Sequence, residues 1–147
     1  MPGAVENPTA GYLIWRVANK WRAAVDRELA PLGLTHAQYT LLAPLYGLSL
    51  AGTRPSQREL ADVAGFDTIY VSKLVRAMER SGFLAREEHP ADPRAVQLIL
   101  TDLGADTARR AVGLVRGLLE ELTAPIGGTG SPAHRDLIDT LKALLGD

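Results

Sequence analysis

The sequence predicts a mainly α-helical fold carrying one small β-hairpin. Three observations point there. Apolar residues recur at helical spacing near both ends of the chain. Capping signals and glycines divide the middle into short helices. One stretch, 83–100, reads as two strands around a turn whose two prolines forbid continued pairing. The chain has 147 residues, which fits a single domain over 1–147 and buries about 68–70% of the unfolded surface.

In chain order, Asn7-Pro8 supplies an N-cap and a proline suited to a first helical turn. The helix that follows places Leu13, Val17, Trp21, Ala24 and Glu28 on one side, with Ile14 and Val25 beside them. Pro31 and Gly33 end it. Thr35 and Gln38 form a T-x-x-Q capping box for a second helix, which runs to about 48 and bends at Pro44. The stretch 49–55 reads as loop. Ser56-x-x-Glu59 opens a short helix over 56–64, Gly65 interrupts, and a further helix spans 67–81. The strands are 83–88 and 96–100, with a turn over 89–95. Thr101 caps a long helix reaching about 124, with Leu103, Ala108, Ala111, Val115, Leu118 and Leu122 among its apolar positions. After a glycine-rich break, Ser131-Pro132 opens a last helix with Leu137, Ile138, Leu141, Leu144 and Leu145 on one side.

Composition removes several classes of function. Cysteine is absent, which excludes disulfides, thiolate metal sites and thiol nucleophiles. His36, His89 and His134 are far apart and have no metal-ligand spacing. No apolar run approaches the roughly 20 residues of a membrane span. The segment 1–11 lacks a basic region followed by an apolar one, so a cytoplasmic protein is expected. No HExxH, GxSxG, CxxC or phosphate-binding glycine loop occurs, so neither an enzyme nor a cofactor is expected. Net charge is −1, from 16 Lys and Arg against 17 Asp and Glu. That figure alone argues against a basic nucleic-acid binder, but it does not say where the charges sit.

The segment 57–76 carries the most information. Ala61 is small, where two short helices would cross closely. Gly65 comes where a tight turn needs positive φ. Val71 would anchor the second helix on the first. These offsets follow the packing logic of a helix-turn-helix. On the helix 67–81, Val71, Leu74, Val75 and Met78 form the buried side. The opposite side carries Ile69, Ser72, Lys73, Arg76 and Arg80, three of them cationic and none acidic. Such a locally positive stripe suits a recognition helix in a major groove. Asp67 caps the helix. Thr68 and Tyr70 complete the candidate DNA contacts, and the exposed Ile69 has a thymine methyl as one candidate partner. Arg94, at the hairpin tip, suits a minor groove. Asp92 either holds the loop or orients that guanidinium.

With these pieces in place, the sequence resembles the MarR (multiple antibiotic resistance regulator) family of winged helix-turn-helix transcriptional regulators. The matching residues are Leu32-Gly33-Leu34-Thr35-x-x-Gln38, Ser56-x-x-Glu59-Leu60-Ala61, Val71-Ser72-x-Leu74-Val75, Met78-Glu79-x-x-Gly82, Arg86, Asp92-x-Arg94 and Leu100-Thr101-x-x-Gly104. The resemblance implies a winged helix-turn-helix over 35–101 and dimerisation helices over 8–31 and 102–147. It implies an obligate homodimer on palindromic double-stranded DNA, with the wing 83–100 in the minor groove. It also implies a repressor released by a small, often aromatic, ligand. The missing cysteines exclude the thiol-oxidation switch of one branch of the family. Glu87 and Glu88 make the wing more acidic than the family pattern. Ile69-Tyr70 replaces the small polar residues common early in the recognition helix.

Trp15, on an otherwise polar side of the first helix, reads as a partner surface or a pocket wall. Trp15, His36 and Tyr39 are the candidate effector-pocket residues. The alternative function is a winged-helix protein–protein module without DNA binding, which the acidic hairpin would suit.

Overall fold

The computed structural model describes residues 7–147, so the reading of the segment 1–11 lies outside the described residues over 1–6. The chain forms helices α1 (Ala10–Leu29), α2 (His36–Leu50), α3 (Gln57–Ala64), α4 (Thr68–Arg80), α5 (Asp102–Thr123) and α6 (Pro132–Leu145). Strands β1 (Leu84–Glu88) and β2 (Val96–Leu100) lie between α4 and α5. Two compact units result: Leu29–Leu114, and residues 7–28 together with Val115–Asp147.

In the unit Leu29–Leu114, each α-helix starts where a side chain satisfies orphan N–H groups. Thr35 and Gln38 make the reciprocal capping box expected of them, at 3.1 and 3.0 Å. Ser56 accepts from the Glu59 N–H at 3.0 Å. Asp67 Oδ1 accepts from the N–H groups of Ile69 and Tyr70, at 2.7 and 3.1 Å. Gly65 closes α3 with φ 72, a left-handed conformation that a Cβ would strain. The Phe66 N–H then reaches back to the Ala61 carbonyl, and the chain turns directly into α4. Leu41, Leu42, Leu45, Leu60, Ala61, Val71, Val75, Met78, Leu84 and Leu98 are buried together with Phe83. The helix-turn-helix spacing of Ala61, Gly65 and Val71 is therefore observed.

β1 and β2 pair antiparallel, in the register Leu84↔Leu100 to Glu88↔Val96. Phe83 stands outside the strand, buried below it. The end of the loop before α3 is not plain loop. Ser56 bridges to Gln97, and the Leu98 N–H donates to the Pro55 carbonyl at 2.8 Å. This third extended segment covers part of the open edge of β2. Thr101 caps α5 through the Gly104 N–H at 3.0 Å, and its hydroxyl donates to the Gly82 carbonyl. Gly104 is buried where a Cβ would collide with the Phe83 backbone carbonyl.

In the other unit, the cap of α1 is Thr9 rather than Asn7. Thr9 Oγ1 accepts from the Tyr12 N–H at 3.2 Å, while Asn7 adopts a left-handed φ of 56°. A short 3-10 turn, Ala124–Ile126, follows α5. The Glu120 carboxylate accepts from the N–H and hydroxyl of Thr129 and so fixes the glycine-rich turn. Ser131 caps α6 through the His134 N–H. Many apolar side chains of this unit stay exposed: Leu13, Ile14, Trp15 and Val17 on α1, and Leu137, Ile138, Leu141, Leu144 and Leu145 on α6. No helix of the described residues is long and apolar enough to cross a membrane.

Candidate nucleic-acid interface

α4 turns one face inward and the other to solvent. Val71, Val75 and Met78 are fully buried. Ile69, Lys73, Arg76 and Arg80 lie at i, i+4, i+7 and i+11, so they share one stripe, and all four are exposed. Thr68 is exposed beside them, and Ser72 is half-buried at the stripe's edge. Tyr70 is exposed on the same turn. It is 42% exposed, but its ring meets Phe66 edge-on with centroids 5.2 Å apart. Ile69 is the more exposed of the two, at 70%.

The wing tip is ordered by its own polar groups. The His89 N–H donates to the Ala95 carbonyl, and the Ala91 N–H to His89 Nδ1. Asp92 Oδ1 accepts from the Arg94 N–H at 3.0 Å. Of the two roles open to Asp92, this geometry selects holding the loop by a local side-chain turn, not orienting the guanidinium. Among the described residues, ion pairs join Arg86 to Glu79 and Arg109 to Asp106. Lys73, Arg76, Arg80 and Arg94 are in neither pair, and each is exposed.

Between the wing and the starts of α3 and α4 lies a cleft of about 450 Å³. Gln57, Arg58, Thr68, Asp92 and Arg94 line it. Arg58 and Arg94 line this one concave space beside the acid Asp92, and the two guanidinium groups suit anions such as phosphate oxygens. Sequence reasoning missed Arg58, Gln57 and the tie between Arg86 and Glu79. Arg58 was findable, because an exposed cation in the first turn of the helix 56–64 follows from that helix's period. The Arg86 tie was not, since it depends on how the hairpin folds back on α4.

Trp15 lies in the unit that includes α6, and is 63% exposed beside the stacked ring of Tyr12. His36 and Tyr39 are half-buried on the first turns of α2, in the other unit, and each already has an interaction partner.

A helix-turn-helix followed by a hairpin wing, with a solvent-facing cationic stripe on its second helix, defines a winged helix-turn-helix protein. The chain belongs to the MarR family, whose model matches residues 34–96. It is 33% identical over 109 residues to the HTH-type transcriptional regulator YdcH of Bacillus subtilis, covering 74% of each chain. It is 33% identical over 130 residues to the HTH-type transcriptional repressor Rv2887 of Mycobacterium tuberculosis, covering 84% of this chain and 88% of that one. Among solved structures it resembles the transcriptional regulator MosR of M. tuberculosis in complex with DNA, at TM-score 0.73 and 30% identity, covering 95% of this chain and 97% of that one. The family and its relatives are transcriptional regulators, and this chain is a member.

Proposed function

We propose that the chain binds double-stranded DNA as a homodimer, inserting α4 into the major groove and the wing tip into the adjacent minor groove. One observation carries this reading. The exposed stripe Ile69, Lys73, Arg76 and Arg80 runs from the same end of α4 at which Thr68 lines the Arg58 and Arg94 cleft. A helix in the major groove would then present its stripe to base edges and phosphates, while the cleft accepts the neighbouring backbone. The DNA complex of the similar MosR protein supports the same reading.

Dimerisation is supported by the apolar faces of α1 and α6, which a lone chain leaves in water. A two-fold dimer would match a palindromic site with half-sites about 34–36 Å apart. Its action is proposed to be non-catalytic repression, released by a small molecule. Trp15, His36 and Tyr39 are the side chains to test for effector response. A ligand that raises the melting temperature of the wild-type protein, and no longer does so after Trp15→Ala, supports that part.

A mobility-shift assay tests the main reading, using duplex DNA flanking the protein's own gene and Arg76→Ala and Arg94→Ala variants. A salt-sensitive shift weakened in both variants is expected. Glu87 and Glu88, exposed on β1, favour a second reading in which the wing meets a protein instead. Absence of any shift at low salt would select it.

A further inference from the structure

Ile69 stands at odds with the rest of its stripe. It is a β-branched apolar residue in the first turn of α4, and it is 70% exposed. Nothing local accounts for it. Asp67 already caps the helix through the Ile69 and Tyr70 N–H groups. The Tyr70 ring meets Phe66 edge-on, whereas Ile69 keeps 70% of its surface in solvent. β-Branched residues have only middling helix propensity, and a first turn favours acidic and small polar residues. The stripe continues from Ile69 through Lys73, Arg76 and Arg80, so one end is apolar and the remainder cationic.

The two ends call for different partners on one surface. Cations suit phosphates and guanine edges. In a major groove the distinctive apolar group among the base edges is the thymine C5-methyl. In a helix-turn-helix, moreover, the N-terminal residues of the recognition helix are those that reach base edges. We propose that Ile69 is a specificity-determining residue that packs against a thymine methyl, so that each half-site carries a T·A pair at the position facing the start of α4. The inference rests on the proposed DNA binding and adds to it the identity of one base pair.

The test replaces thymine by deoxyuridine, which removes the methyl and leaves every hydrogen-bonding group in place. Duplexes are first enriched from a random library by the full-length wild-type protein. Each thymine of the enriched site is then changed to uracil, and affinities are measured by fluorescence anisotropy for wild type, Ile69→Val and Ile69→Ser. At one symmetry-related position, uracil should weaken wild-type binding about three- to fivefold per half-site, the worth of one buried methyl. Ile69→Val should keep that thymine preference. Ile69→Ser, whose hydroxyl does not depend on the methyl, should bind thymine and uracil duplexes equally. A uracil scan without effect at any position would overturn the assignment, as would an Ile69→Ser variant that keeps the full preference. In either case, duplex binding that is still lost in Arg76→Ala would leave the DNA-binding reading standing. If no duplex is enriched at all, that reading fails, and this inference fails with it.

Discussion

Arg86 Nε lies 3.2 Å from both carboxylate oxygens of Glu79, tying the first wing strand to the last turns of α4. Both side chains are about one-third exposed, at 34% and 36%, so the pair contributes little to stability. What it supplies is a link between β1 and α4, the helix proposed to enter the major groove. Arg86→Ala should therefore lower unfolding free energy by no more than about 1 kcal/mol, yet weaken duplex binding severalfold. Adding Glu79→Gln to that variant should cost little more, as expected of two residues acting through one contact. Urea denaturation and anisotropy titrations on the same samples check both halves.

The exposed cations should separate by role. If Lys73 meets a phosphate, as proposed, Lys73→Gln should reduce the slope of log K against log salt by about 1 and weaken all sequences alike. Arg76→Ala should cost about 1–3 kcal/mol on an enriched site and relax its sequence preference. Arg94→Ala should chiefly weaken duplexes whose flanks have a narrow minor groove, where an inserted arginine gains most. Titrations over a salt series and over flank variants distinguish the three.

Asp92 is an acid lining the same cleft as Arg58 and Arg94, and its carboxylate holds the Arg94 N–H. Asparagine can make the same bond without the charge. Asp92→Asn should bind duplex as tightly as wild type or more tightly at low salt, and Asp92→Ala more weakly. Hydrogen exchange at the Arg94 amide should rise only in the alanine variant.

The elements of the unit Leu29–Leu114 were legible because their signals are local. Caps at Thr35, Ser56 and Asp67, the turn at Gly65, and the inward period of Val71, Val75 and Met78 all act within a few residues. The exposed stripe of α4 follows from that same period. What escaped the sequence depends on distant segments meeting. Ser56 finds Gln97, and Arg86 finds Glu79, only after the chain has folded. The N-terminal cap shows a subtler limit. Asn7 and Thr9 are both good caps, and which is used depends on the backbone conformation of Asn7. The apolar stripe read on α1 is real in pattern, but Leu13 and Val17 remain exposed in the single chain.

Gly104 is required by close approach. In α5 a Cβ at this position would meet the Phe83 backbone carbonyl, which is not free to move as a side-chain tip is. Gly104→Ala should destabilise the protein by about 1–3 kcal/mol despite alanine's better helix propensity. Gly65→Ala, with open space around it but φ 72, should cost only about 1 kcal/mol. Chemical denaturation curves rank the two.

Leu141, Leu144 and Leu145 lie exposed on α6, in a unit whose α1 also leaves Leu13, Ile14 and Val17 in water. Leu141→Glu with Leu144→Glu should convert the proposed dimer to monomer, as read by light scattering after size exclusion. Affinity for a palindromic duplex should fall far more than affinity for an isolated half-site.

The central claim is that α4 and the wing tip together form a DNA-binding surface, although the chain has a net charge of −1. Its most direct test is equilibrium binding of a labelled enriched duplex over a salt series. The wild-type protein is compared with a variant combining Lys73→Gln, Arg76→Gln and Arg94→Gln. The wild type should bind with log K falling linearly in log salt, and the variant should bind weakly with a slope smaller by about 2–3. Equal affinity and equal slope in the two proteins would contradict it.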